Sequence, residues 1–196
     1  KVNATDKDYV RYFVIDKFEN IWVATYDKGL FKLDHKTGKY SSFLNYKIRT
    51  ISHLFLSKAG KLWVSTNTGL YTIDIENNKI RLFSPAKNQD PLSNNVLIVY
   101  QDSRSNYWIL NEEGVNCYNF ETGFSKKYTA KNLQGLISFK AGSVIEDKEN
   151  NIWIGTVEGL NKIDGRTGKI KHYFYEAHNE RSLPNSIILT FGLFLD

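Results

Sequence analysis

The stretch DKENNIWIGTVEGLNKIDGRTGK, residues 147–169, decides the fold. It opens with an Asp-to-Asn turn (Asp147 to Asn151), because Asx side chains bond nearby backbone amides. A short tryptophan-bearing strand follows, IWIGT (152–156). Gly159 then stands where a tight turn can use φ > 0. A second strand, GLNKID (159–164), runs into a Thr-Gly hairpin turn at 167–168.

The same stretch recurs along the chain. Trp22, Trp63, Trp108 and Trp153 lie 41, 45 and 45 residues apart, the period of a β-propeller blade. Each sits in a matching strand: IWVAT (21–25), LWVST (62–66), YWILN (107–111) and IWIGT (152–156). Each is followed by a glycine, Gly29, Gly69, Gly114 or Gly159, and then by GLFKLD, GLYTID, GVNCYN or GLNKID. Six residues before each tryptophan stands Asp16, Ser57, Asp102 or Asp147. Each copy closes on an aromatic: Phe43, Phe83, Tyr128 or Tyr173.

The pattern predicts an all-β chain of four-stranded antiparallel meanders. Strands apolar on both faces (VRYFVI, ISHLFL, VLIVYQ) read as innermost strands. Alternation at Lys169 to Tyr173 reads as a half-solvated outer strand. One such sheet cannot bury both faces alone, and stacked neighbours do so. The expected blades span about 9–46, 47–88, 94–130 and 139–176, with the first strand of a fifth at about 186–196. Four blades plus a strand predict part of a larger propeller whose chain continues beyond Asp196. Unpaired blade edges template pairing with another chain, so self-association as a dimer is expected.

The meander also assigns loops to faces. Turns joining first to second and third to fourth strands share one face and are nearly alike in every copy. Turns joining second to third strands share the other and differ: TYDKG (25–29), TNTG (66–69), NEEG (111–114) and TVEG (156–159). Variation on one face of a regular scaffold suits recognition. The entries of the inner strands reach that face. Arg11, Tyr12, Ser52 and His53 are therefore expected around a channel mouth, with Tyr26, Lys28 and Arg49 above. Aromatic faces and planar donors fit sugar rings and their hydroxyl or acidic groups.

Other chemistry finds little purchase. The four histidines, His35, His53, His172 and His178, are scattered and offer no converging metal set. Asp16, Asp102 and Asp147 recur at the blade period, so they read as turn residues rather than an acid/base pair. Cys117 aligns with Lys32, Thr72 and Lys162, a solvent-leaning register, and no histidine stands beside it to make it a nucleophile. No Gly-rich phosphate loop and no cofactor motif is present. The tryptophans, fixed in every blade, read as inter-blade packing. The net charge is +5, but Lys and Arg are spread evenly, which argues against a nucleic-acid surface. One cysteine excludes an intrachain disulfide. No segment has the roughly 18–20 apolar residues of a membrane helix.

The motif Asp-x4-[Ile/Tyr]-Trp-[Val/Ile]-x-Thr-x2-Gly-Leu resembles the two-component regulator propeller repeat. It stands as DKENNIWIGTVEGL (147–160) and DKFENIWVATYDKGL (16–30), and the loops QDPLSNN (89–95) and ERSLPNS (180–186) resemble that family's linkers. The pattern departs at Ser57, at Asn111 and in the longer Tyr26–Lys28 turn. The resemblance implies the periplasmic sensor region of a hybrid two-component regulator of Bacteroidetes, which senses oligosaccharides. Membrane helix, histidine kinase and receiver would lie outside this chain, so any membrane attachment would come from those parts. A protein-interaction or assembly propeller is the first rival reading. The second is an enzyme: streptogramin lyases are similar at the blade level, but they need a metal-supported His/Glu centre, toward which only His53 is placed.

Overall fold

The computed structural model describes residues 10–26, 28–44, 50–83, 95–111, 114–128, 141–185 and 187–188. Among them are sixteen strands in four antiparallel four-stranded sheets, with no helix. The first sheet holds β1 (Val10–Ile15), β2 (Ile21–Thr25), β3 (Leu30–Leu33) and β4 (Tyr40–Leu44). The second holds β5 (Ile51–Leu56), β6 (Lys61–Thr66), β7 (Gly69–Asp74) and β8 (Lys79–Leu82). The third holds β9 (Val96–Gln101), β10 (Tyr107–Asn111), β11 (Gly114–Asn119) and β12 (Phe124–Tyr128). The fourth holds β13 (Ala141–Glu146), β14 (Ile152–Thr156), β15 (Gly159–Ile163) and β16 (Ile170–Tyr173). Every sheet is a simple meander in chain order, the four-stranded blade that the repeat predicts.

The turns explain the sequence spacing. Gly69, Gly114 and Gly159 take φ of 133°, 143° and 139°, a region where a Cβ is strained. A Cβ on Gly159 would lie 2.4 Å from the Tyr173 carbonyl oxygen. The Thr-Gly loops are hairpins closed by Asp34, Asn119 and Asp164. Asp34 Oδ1 accepts from Thr37 N at 2.8 Å and Oγ1 at 3.0 Å, and Asp164 does the same for Thr167 at 2.7 Å each.

The chain divides into two compact units, Lys1–Val96 and Leu97–Asp196. In the first, Trp22, Ala24 and Leu30 of one sheet pack on Ile51, Leu54, Leu62, Val64 and Ile73 of the next. In the second, Trp108, Leu110, Val115, Cys117 and Tyr128 pack on Ile152, Ile154 and Ile163. Each tryptophan also meets its own blade's closing aromatic. Trp22–Phe43 and Trp63–Phe83 are edge-on at 4.6 and 4.9 Å, while Trp108–Tyr128 and Trp153–Tyr173 are stacked at 5.8 and 5.5 Å.

Two expectations need correction. Cys117 is buried, because the fourth sheet covers the face of β11 that the repeat alignment places toward solvent. The apolar β1 is not sealed on both faces. Val10, Phe13 and Ile15 are 57%, 66% and 56% exposed, whereas Ile51 and Leu54 at the matching places in β5 are covered. Within the first unit the second sheet packs on the opposite face of β1, against Tyr12 and Val14. Of the expected fifth inner strand, only Ile187 and Ile188 are among the described residues, and Ile188 N–H donates to Thr156 O at 2.9 Å. The rest of 186–196 lies outside the described residues.

Candidate functional site

The local design of a blade starts at the aspartate before the tryptophan. Asp102 Oδ2 accepts from the Trp108 indole N–H at 2.9 Å, and Asp102 Oδ1 accepts from the backbone N–H of Arg104 and Asn106 at 3.0 and 2.8 Å. Asp16 and Asp147 repeat the arrangement, with indole distances of 2.8 and 2.7 Å. In the second sheet Ser57 stands in this place and accepts from Lys61 N–H at 3.1 Å. Burial alone would raise the Asp16 and Asp147 carboxyls, but bonds from the indole, the neighbouring Asn and the backbone outweigh it. Asp16 is lowered and Asp147 falls to about 2. These aspartates are occupied in holding turn and indole and are not paired for acid/base chemistry.

The inner-strand entries carry a feature that the sequence does not display. In β1, β5 and β13 the register slips between Val10 and Tyr12, Ile51 and His53, and Ala141 and Ser143. Each slip is a β-bulge, a device that re-aims side chains. The bulged residues are Arg11, Ser52 and Gly142. Arg11 Nη1 donates to Ile51 O at 3.3 Å, and Ser52 Oγ donates to Val96 O, the carbonyl in the same register one repeat on. Arg11 and Ser52 are thus engaged with backbone.

The structure brings two pairs of the expected residues together. The Arg11 guanidinium lies over the Tyr26 ring, 5.5 Å from its centroid, with Tyr26 mostly exposed. Tyr12 and His53 meet edge-to-face at 5.4 Å. Lys28 is exposed, and its N–H donates to Thr25 Oγ1 at 3.1 Å. Arg49 lies outside the described residues.

His53 pairs across the strands with Ser65. His53 Nδ1 and Ser65 Oγ are both enclosed, and neither makes a hydrogen bond among the described residues. Two such groups on opposed residues form a polar spot that a bound hydroxyl or water can satisfy. The same cross-strand place holds Tyr12 with Ala24 in the first sheet and Ser143 with Gly155 in the fourth. Ser65 was missed because only its register against His53, set by the bulge, gives it a role. Its one signal is a hydroxyl where the other tryptophan strands carry Ala24, Leu110 or Gly155. Burial lowers the His53 imidazole to about 4, so it is neutral near pH 7. Burial raises the Tyr12 phenol, with Arg11 opposing, and pushes the Cys117 thiol up to about 12. Among the described residues no three His, Cys, Asp or Glu side chains are grouped to hold a metal.

No protein-family model and no curated protein matches the chain. Solved structures do. The extracellular domain of BT4673 from B. thetaiotaomicron, described as a hybrid two-component system, is similar with a TM-score of 0.71 at 22% identity. The match covers 91% of this chain and 24% of that one. The corresponding domain of BT3049 gives 0.68 at 23%, over 91% and 23% of the two chains. The chain has the fold of these extracellular domains. It spans about a quarter of their length. PorZ of Porphyromonas gingivalis, a bacterial surface component of the type-IX secretion system, is also similar, with a TM-score of 0.69 at 15% identity over 92% of this chain and 29% of that one. The propeller resemblance carried by the tryptophan repeat agrees with these neighbours.

Proposed function

We propose that this chain is part of the extracytoplasmic sensing propeller of a hybrid two-component protein. In this reading the parent faces the periplasm, recognises an oligosaccharide and passes the signal to a histidine kinase beyond these blades. The chain itself binds rather than catalyses. Likeness to the extracellular domains of BT4673 and BT3049 supports the setting. The observation that carries ligand recognition is the opposed pair His53 and Ser65, whose enclosed polar atoms lack partners beside the Tyr12 ring. A sugar presents hydroxyls to such a pair and an apolar ring face to such an aromatic. The neutral His53 and the high Cys117 thiol suit binding better than acid/base or nucleophilic work.

The test is thermal unfolding of the whole extracytoplasmic region and of this chain with neutral, acidic and sulfated oligosaccharides. A ligand of the native state raises the melting temperature with its excess over Kd. A rise with one glycan class, abolished by His53→Ala with Ser65→Ala, is the expected result. No rise in either protein would transfer the argument to an assembly propeller. That second reading is favoured by the fold shared with PorZ and by the exposed Val10, Phe13 and Ile15 on β1, which would seat a second copy of the chain.

A further inference from the structure

The grooves between consecutive sheets within the two units are built from matching positions but finished differently. In the first unit, Ile75 of the turn after β7 is buried in the core between the sheets. Beside it Glu76 makes an ion pair with Lys17. In the second unit the matching residues are Gly165 and Arg166. Gly165 brings no side chain, and Arg166 brings a positive charge where Glu76 brings a negative one. Phe18 of the first sheet is matched by Arg104 of the third.

An open cleft of about 320 Å³ results, lined by Arg104, Lys126 and Arg166, by the single carboxylate of Asp164, and by Trp108, Phe124 and Tyr128. Arg104 reaches across it, Nη1 donating to Gly165 O at 2.6 Å and Nη2 to Asn150 O at 3.1 Å. A Cβ at Gly165 would lie 2.7 Å from Arg104 Nη2 and 1.9 Å from Asn150 O, so glycine is what permits this span. Two of the guanidinium donors are anchored to carbonyls, and the rest of its fork stays available. Lys126 Nζ lies over the Tyr128 ring at 4.6 Å and against the turn at Gly168. The Asp164 carboxylate offsets one of the three positive charges, with Arg166 acting on it, and its Oδ1 is taken up by the turn. Asp164 accepts from Arg166 N–H, Thr167 N–H and Thr167 Oγ1, and Glu146 accepts from Ser103. No ion pair neutralises Lys126 or Arg166 among the described residues.

We infer that this cleft binds a small oxyanion, the sulfate or phosphate of a free ion or of a sugar ester. Three cations at one wet cleft, one of them a pre-oriented guanidinium, match the charge and the acceptor geometry of a tetrahedral oxyanion. The inference does not rest on the sensor reading, because the cleft lies in the second unit and uses none of the residues around His53.

Isothermal titration of the 196-residue chain with sodium sulfate, sodium phosphate, galactose 6-sulfate, glucose 6-phosphate and galactose tests it, against sodium chloride at matched ionic strength. Binding of at least one sulfate or phosphate species is expected, with none for galactose or chloride. Inorganic ions binding as well as the esters would identify a simple anion site, and preference for an ester would identify a sugar-linked ligand. Lys126→Gln and Arg166→Glu should each weaken binding at least about tenfold, and the remote Lys61→Gln should not. Arg166→Glu installs the residue that the second sheet already carries, so it keeps the turn. Sulfate also stabilises proteins by exclusion, without a site. Equal responses of wild type and both variants, or no binding of any sulfate or phosphate species, would overturn the inference.

Discussion

At the scale of single residues, the aspartate six places before the tryptophan does more than make a turn. Asp102 is fully buried and holds the indole and two backbone amides at once. Asp102→Ala strands those donors in the interior and should cost about 3 kcal/mol in urea unfolding. Asp147 contributes in a pH-dependent way. Its folded carboxyl sits at about 2 against 3.8 ordinarily, so its contribution is complete above 3.8 and is lost as pH falls through 2. Asp147→Asn should remove that part of the acid-unfolding curve. His53 runs over a different window. Its imidazole is lowered from 6.5 to about 4, so the unfolded chain binds the proton first. Stability from neutral His53 is full above 6.5 and is lost as pH falls through 4. Melting temperatures of His53→Gln should fall less than those of the wild type over that interval. Identical slopes would mean that the ring is solvated.

At the scale of elements, the hairpins were legible and the bulges were not. Turn glycines and Thr-Gly loops declare themselves because only certain residues tolerate the backbone they need. Gly159→Ala should therefore destabilise by about 2 kcal/mol, since it meets both a φ of 139° and the Tyr173 carbonyl. Calorimetric melting would check it, and an unchanged transition would show that the β14–β15 turn can relax. The bulges at Arg11, Ser52 and Gly142 have no residue signature, because they arise from how two strands register against each other. They decide which candidate side chains are engaged with backbone and which are offered. Arg11 and Ser52 bond backbone carbonyls, whereas His53 is left facing Ser65.

At the scale of the whole molecule, the exposed face of β1 is the surface that the expected self-association would use. Val10, Phe13 and Ile15 are exposed where Ile51 and Leu54 of the second sheet are covered, so they are the residues that a self-associated form would bury. Phe13→Lys should shift the chain toward monomer in sedimentation or light scattering at high concentration. A wild-type chain that is already monomeric there would remove this surface from the argument. The size of the neighbours bears on function as well. The chain spans about a quarter of the extracellular domains of BT4673 and BT3049, so the proposed ligand site can lie on blades outside it. Comparing thermal shifts of the long and short proteins separates those cases.

By itself the sequence determined the repeat, the four strands per blade, the turn positions and the place of each tryptophan. Those depend on backbone sterics and on a periodicity that any one copy shares with the others. Only the tertiary structure decided which equivalent residues are used differently. Cys117 is buried because a neighbouring sheet covers it, and Phe13 is exposed because the second sheet packs on the other face of β1. Ser65 is set against His53 by the strand opposite, and the Gly165 carbonyl accepts from an arginine sixty-one residues away. Burial and charge environment belong to pairs of surfaces, and a linear pattern does not record which surfaces meet.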